Sequence, residues 1–348
     1  MSDATSCMHA ASPRIWAGPA AQLVVLAVLA TVLGCSGTQA GAPPDAGAPD
    51  GTEATDAGVS PPTLDPALFD CTSLSRPPLA RRATATPAEC LRDPRCKTRL
   101  VAGHRGAGGQ LGRVAPEDSL AAYRAAIAMG LDLAETDPRP TKDGVLVNHH
   151  DATVERTTLG EGTVSELTLA ELRALSLRTG DLRGDFSCER VPTLRELLET
   201  SVGRVMVLVD ANKTDRVDLL VAAIQEAKAL DWAVFDTSST DKIDRALALE
   251  PRLLIMPRVA TAAAATEVLV KYKSHPPLFV ELDQALFPAG VVEVHAGGSR
   301  AFTDVFATDF GVKLGGDPKV YLELYGKGAD ALQTDLPDAV LTALGRAP

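Results

Sequence analysis

The chain has no excess of positive charge: 34 Lys and Arg stand against 45 Asp and Glu, a formal net charge of −11 at pH 7. A protein that grips nucleic acid by its phosphates presents a basic face, so that function class is set aside. Beyond Leu33 there is no apolar run long enough to span a bilayer. Cysteine is scarce, six in 348 residues, and no Cys-x-x-Cys or Cys/His cluster suggests zinc. Internal repeats are absent, as are a Walker phosphate loop, a nucleophile elbow and a His-Glu-x-x-His helix. Gly106, Gly108 and Gly112 imitate a dinucleotide-binding loop, but their spacing is wrong. What remains is an acidic chain whose chemistry is to be sought in its histidines, arginines and carboxylates.

Residues 1–34 read as a secretory signal, with Arg14 ahead of an apolar stretch from Leu23 to Leu33. Val32-Leu33-Gly34-Cys35 resembles a bacterial lipobox. That implies an exported protein, lipid-anchored through Cys35 to the cell envelope at the outer membrane; the plainer alternative is an ordinary cleaved signal with an incidental cysteine. Residues 35–66 are rich in Ala, Gly, Pro, Asp and Thr and hold too little apolar surface to offset their ordering entropy, so they read as a flexible tether. Residues 67–348 form the domain, long enough for one large core. Its cysteines, Cys71, Cys90, Cys96 and Cys188, are an even set in an exported domain and suggest two disulfides with three possible connectivities. A short Cys90–Cys96 loop would leave Cys71 to clip onto Cys188.

Strand-like runs fall at Leu100–His104, Leu131–Asp137, Val205–Asp210, Trp232–Phe235, Leu253–Met256, Leu278–Leu282, Ala301–Phe306 and Ala331–Thr334. Helical periodicity lies between them. Leu120, Tyr123 and Ile127 share a face behind Ser119; Val217, Leu220, Ile224 and Ala227 share another, with Asp215 as the expected cap. Glu267–Lys271, Lys319–Tyr325 and Asp338–Leu344 continue the alternation. Eight β-then-α units predict an α/β fold, a (β/α)8 TIM barrel, with Val145–His150 as an extra hairpin arm after the second strand.

In such a barrel the carboxyl ends of the strands share one rim, where catalytic groups sit. Glu135 and Asp137 are two apart on one strand and face the same way. With Asp210 at the end of VMVLVD they make an oxygen-only set suited to one Mg²⁺ or Ca²⁺. Glu281 and Asp283 repeat the pair without companion motifs and read as pocket wall or surface. His104 and Arg105 leave the first strand together: a guanidinium binds phosphate oxygens, and an imidazole moves a proton near neutral pH. His150 arrives from the hairpin arm beside Asp151. His149 competes with it, but alternation sends the two to opposite faces.

These motifs, His104-Arg105-Gly106, Pro116-Glu117-Asp118-Ser119, Glu135-Thr136-Asp137, Thr141-Lys142-Asp143-Gly144, His150-Asp151 and Arg156-Thr157-Thr158, resemble the glycerophosphodiester phosphodiesterase family. Val191-Pro192-Thr193-Leu194 and Thr334-Asp335-Leu336-Pro337 match later landmarks. The resemblance implies a metal-dependent hydrolase cleaving a small-molecule glycerophosphodiester to glycerol 3-phosphate and an alcohol. Carried over by position, Glu135, Asp137 and Asp210 are the metal ligands, Arg105 the phosphate clamp, His104 and His150 the acid–base pair, and Glu117 the residue orienting Arg105. The chain departs from the family pattern at Asp118 in place of asparagine, at Asp210-Ala211-Asn212-Lys213 in place of Glu-x-Lys, and at Phe302-Thr303, followed by Asp304, in place of Trp-Thr, the last implying an unusual alcohol pocket. Two other readings stand beside this one: a phospholipase D-like enzyme acting on lysolipids or sphingolipids, which lacks an apolar lid in the sequence, and an inactive surface-binding lipoprotein.

Overall fold

The computed structural model describes residues 64–72, 92–93, 99–180 and 182–346. The signal segment, Cys35, Cys90 and Cys96 lie outside them. In chain order the strands are β1 (Leu100–Gly103), β2 (Leu133–Thr136), β3 (Pro138–Pro140), β4 (Leu146–Asn148), β5 (Met206–Asp210), β6 (Ala233–Thr237), β7 (Leu254–Val259), β8 (Phe279–Leu282), β9 (Arg300–Asp304) and β10 (Ala331–Thr334). All but β3 and β4 close into one parallel barrel in sequence order, β10 pairing back onto β1. Every expected barrel strand is present, and β3–β4 is the separate antiparallel hairpin, pairing Pro138 with Asn148.

Period-2 alternation explains both faces of the barrel wall. Val101, Ala134, Val207, Val209, Phe235, Ile255, Val280, Ala301 and Leu332 point outward and are buried under the helices. Leu100, Ala102, Leu133, Met206, Leu208, Val234, Leu254, Met256, Phe279, Phe302 and Ala331 point inward and form a second apolar cluster. Cutting one of these back, Leu208→Ala for example, costs about 2–5 kcal/mol. Continuing the same alternation, the next inward residues are polar: His104, Glu135, Asp210, Asp236, Arg258, Glu281, Asp304 and Gln333. The barrel is therefore an apolar plug below and an ionisable layer above.

The outer helices start where caps allow. Ser119 accepts from the Ala122 amide ahead of α1 (Leu120–Ala128). Reciprocal capping boxes, Thr168 with Glu171 and Thr193 with Glu196, open α2 (Leu169–Ala174) and α3 (Leu194–Ser201). The expected Asp215 cap is corrected. Arg216 holds the N-cap of α4 (Val217–Glu226) without a side-chain bond. Its amide is turned one residue early onto Thr214 Oγ1, and Asp215 pairs instead with Lys242 Nζ at 3.1 Å. The ring continues with α5 (Thr240–Leu249), α6 (Ala262–Lys271), α7 (Ala289–Ala296), α8 (Phe306–Lys313), α9 (Val320–Gly326) and α10 (Pro337–Ala343).

Two additions bear on the site. Between β2 and β5, the hairpin and α2 enclose their own small core of Val147, Val154, Val164, Leu172 and Val191, which gives the His150 loop a rigid base. Before β1, Phe69 is buried and its carbonyl accepts from Arg124 of α1. That leading segment is fixed by a Cys71–Cys188 disulfide with the Cα atoms 5.7 Å apart, the pairing the sequence suggested.

Candidate active site

Glu135 and Asp137 from the β2 end and Asp210 from the β5 end converge: one carboxylate oxygen of each lies within 4.8 Å of the others, and all three residues are buried. Burial, followed by the charges of Asp137, Asp118 and Asp210, pushes the Glu135 carboxyl well above its usual range. Asp137 Oδ2 is buried without a hydrogen-bond partner among the described residues. Clustered acids with an orphaned oxygen are costly unless a cation neutralises them, so the donor set fits a hard divalent ion. The shorter Asp210 reaches the cluster. Its Oδ1 accepts the Asn212 amide at 2.6 Å, starting a tight turn, Ala211–Lys213. That turn absorbs the shift of the lysine: Lys213 Nζ lies 3.6 Å from Asp137 Oδ1 and 3.3 Å from His150 Nε2.

The two histidines are held alike. His104 Nδ1 meets Asp335 Oδ1 at 2.6 Å, and its Nε2 is turned toward Glu135 Oε2 at 4.0 Å. Its ring packs on Phe306 with centroids 4.4 Å apart. Asp335 also accepts the Gly109 and Leu111 amides, while its own amide donates to buried Asp309 at 2.7 Å. Gly109 is required there, since an added Cβ would sit 2.2 Å from Asp335 Oδ1 and 2.6 Å from His104 Nδ1. His150 Nδ1 meets Asp151 Oδ1 at 2.7 Å, leaving Nε2 toward Lys213. Burial first, aided by the charges of Arg105 and Lys213, lowers the His150 pKa against the pull of Asp137 and Asp151. His149 points away, bonding the Asp151 carbonyl and Thr157 Oγ1, each at 2.8 Å.

Arg105 links the parts. Its amide donates to Glu135 Oε2 at 3.0 Å, its Nη1 donates to Glu117 Oε1 at 2.7 Å, and its Nε lies 3.6 Å from Asp137 Oδ2. Glu117 also takes two bonds at 2.7 Å from Arg156, which in turn grips Asp151. Burial would raise the Glu117 carboxyl, but the Arg156 bonds and both guanidinium charges outweigh it and hold it below its ordinary value. Arg105 (φ 52°) and Asp118 (φ 57°) both sit in the left-handed region, the kind of local strain that functional loops carry. Gly106 (φ 100°) completes the turn against Ala122. Asp118, the departure from asparagine, is buried without a side-chain hydrogen bond among the described residues, and burial with the charges of Asp137 and Glu117 raises it strongly.

The opposite half of the rim carries ionisable groups of its own. Arg258 Nε bonds Asp236 Oδ1 at 2.8 Å and lies 3.1 Å from Glu281 Oε2; its Nη2 contacts Asp236 and is 3.5 Å from Asp210 Oδ2. Burial, only partly offset by Arg258, pushes Asp236 up to about 7 and Asp304 up to about 6. A cavity of about 560 Å³ opens here, lined by Arg258, Glu281, Asp304 and Phe306 among others. A larger one, about 670 Å³, lies against Phe69, Leu111 and Leu336 and reaches none of the triad or the histidines.

All seven residues singled out from the sequence, His104, His150, Arg105, Glu117, Glu135, Asp137 and Asp210, thus fall in one network. Sequence reasoning passed over the parts played by Asp335, Arg156 and Lys213, although each stood in or beside a quoted motif. Asp236 and Arg258 carried only a positional signal, the inward register at a strand end, whereas Asp304 followed the Phe302-Thr303 departure from the family pattern. Glu281 and Asp283 both line that cavity, within the pocket-wall-or-surface expectation, and Asp283 also caps a turn through the Ala285 amide.

Known proteins align with this arrangement. The model of the glycerophosphoryl diester phosphodiesterase family matches residues 104–305. The chain belongs to that family. A glycerophosphodiester phosphodiesterase of Caldanaerobacter subterraneus subsp. tengcongensis is 43% identical over 102 residues, covering 29% of this chain and 39% of that protein. The chain thus spans well under half the length of that relative, and 30% of the length of the glycerophosphodiester phosphodiesterase 1 of Bos taurus, to which it is 42% identical over 104 residues. Among solved structures, a glycerophosphoryl diester phosphodiesterase from Parabacteroides distasonis superposes with a TM-score of 0.62 at 23% identity, over 74% of this chain and 90% of that one. An Oleispira antarctica phosphodiesterase in complex with the product sn-glycerol-3-phosphate gives 0.59 at 24% identity, over 71% and 96%. At these identities the two structures speak for the family's barrel.

Proposed function

We propose that this family member hydrolyses glycerophosphodiesters to glycerol 3-phosphate and an alcohol. What supports the reading is a buried carboxylate triad with His104 Nε2 turned toward its Glu135 and His150 Nε2 joined to its Asp137 through Lys213, each imidazole held at Nδ1 by an aspartate. The Oleispira complex, named for its glycerol 3-phosphate product, supports the choice of substrate. Glu135, Asp137 and Asp210 would hold one divalent cation, Mg²⁺ or Ca²⁺, which when bound supplies positive charge to a phosphate oxygen and acidifies a nearby hydroxyl.

The chain's own residues do the rest. Arg105, oriented by Glu117, grips the remaining phosphate oxygens, and Lys213 adds charge from the hairpin side. His150, kept neutral by burial, accepts a proton from the attacking hydroxyl at Nε2. His104, its Nδ1 tied to Asp335, gives one to the leaving alcohol. A P–O bond to that alcohol breaks and the attacking oxygen takes its place: attack by water gives glycerol 3-phosphate directly, whereas attack by the glycerol 2-hydroxyl gives a cyclic phosphate that a water molecule then opens, its proton passing between the same two histidines. Export and lipid anchoring through Cys35 would place this chemistry at the envelope, where deacylated phospholipid head groups arise.

The test is hydrolysis of glycerophosphocholine and lysophosphatidylcholine by the purified domain, with Mg²⁺, with Ca²⁺ and with chelator. The reading expects glycerol 3-phosphate from the first substrate, lost on chelation and restored by one of the ions. Cleavage of the lysolipid alone would move the activity to a phospholipase D type; cleavage of neither would leave a binding protein.

A further inference from the structure

We infer that the 560 Å³ cavity on the β7–β9 side of the barrel mouth is the subsite for the leaving alcohol, and that it selects alcohols bearing an ammonium group. The inference rests on the hydrolase reading for what the alcohol is attached to, and on the cavity itself for its chemistry.

Position comes first. Phe306 lines this cavity and packs its ring on His104, so a molecule seated there lies beside one of the two proton-transfer groups. The volume is in the range of small-ligand sites, ~300–1,000 Å³. The other large cavity reaches Glu117 and Arg156 behind the phosphate clamp, and its lining includes neither histidine nor any member of the triad.

Charge decides the class of ligand. Arg258 is the cation of the wall, and the fully buried Asp236 takes it with two bonds. Glu281 Oε2 lies 3.1 Å from the same Nε that bonds Asp236. Asp304 is left over: its Oδ1 is buried and without a hydrogen-bond partner among the described residues. One positive charge thus serves three carboxyls here, with Asp283 also on the cavity wall and before Asp210 is counted; burial and the neighbouring carboxylates push Asp236, Glu281 and Asp304 all above their ordinary values, so the wall is short of positive charge. Glycerol 3-phosphate is an anion and would be repelled by this wall, whereas an ammonium headgroup supplies the missing charge. A bare metal ion is a poorer occupant, because the convergent metal-type cluster found among the described residues is the Glu135–Asp137–Asp210 set. Leu282, Val259 and the exposed part of Phe306 offer apolar wall to the methylene and methyl groups of an amino alcohol.

The experiment compares kcat/KM for glycerophosphoethanolamine and glycerophosphocholine with that for glycerophosphoglycerol, in the wild type, Asp304→Asn and Glu281→Gln. The wild type is expected to favour the ammonium substrates by about tenfold, and each variant to bring that ratio toward unity. Equal rates on charged and neutral alcohols in the wild type, or a ratio untouched in both folded variants, would overturn the assignment. Titration of choline into the protein, with glycerol as control, reads the subsite without turnover. Choline binding that weakens in Asp304→Asn sustains the subsite even if no diester is cleaved, and then only the hydrolase reading fails. Absence of choline binding together with an unchanged ratio sinks the subsite alone.

Discussion

The barrel mouth has two halves built on the same rule and legible to very different degrees. From β1 through the hairpin to β5, each chemical group sits in a short contiguous motif, and two histidines face the acid triad. From β6 to β9 the groups are single residues, Asp236, Arg258, Glu281 and Asp304, each alone at the inward position of a strand end. Both halves obey one constraint: the apolar plug ends a residue or two below the rim, so the next inward side chain meets solvent or ligand. The first half converges on a small ion and moves protons. The second spreads its charges around a cavity and is fitted to shape and charge selection.

The sharpest way to break this comparison is to remove a proton-transfer group from the first half. His104→Ala and His150→Ala should each lower kcat by about 10³-fold while the fold, read by circular dichroism, is kept. Wild-type turnover in either variant would remove that histidine from the chemistry. In the second half the larger effect falls on stability. Arg258→Gln strips buried Asp236 of its counter-charge and should cost about 3 kcal/mol in denaturant unfolding, with a smaller loss in kcat than either histidine variant. If Arg258→Gln instead matched the histidine variants in kcat and spared stability, the division between the halves would be wrong.

A finer test uses Glu117, whose folded pKa lies below its ordinary value because two arginines hold it. A depressed carboxyl stabilises the fold above its unfolded pKa, about 4.3, and that contribution fades as pH falls through the folded value. The melting-temperature gap between wild type and Glu117→Gln should therefore be widest near neutrality and narrow in acid. A gap that holds constant from neutral pH to about 3 would show that the Glu117 charge carries none of the stability.

Much of the fold was readable because apolar period-2 runs and turn residues are local signals. All eight barrel strands and the hairpin were found that way; the Cys71–Cys188 bond came instead from the cysteine count, as one of three connectivities it allowed. The α4 cap was misplaced because Asp215 is a plausible cap in sequence, whereas the backbone puts Arg216 at the N-cap and leaves Asp215 to pair with Lys242. Asp335 escaped because its partner His104 is 231 residues away, and only barrel closure of β10 on β1 joins them. Lys213 looked displaced in sequence until the turn begun by Asp210 carried it back to Asp137. The cavity side was unreadable for a related reason: Arg258 collects its acids from three different strands.

Calorimetric titration of Mg²⁺ and Ca²⁺ into the chelator-treated protein, wild type beside Asp137→Asn, bears most directly on the central claim. The account predicts one saturable divalent site per chain in the wild type and none, or one weakened by at least about tenfold, in the variant. Undiminished binding in Asp137→Asn, or no binding in a folded wild type, would contradict it.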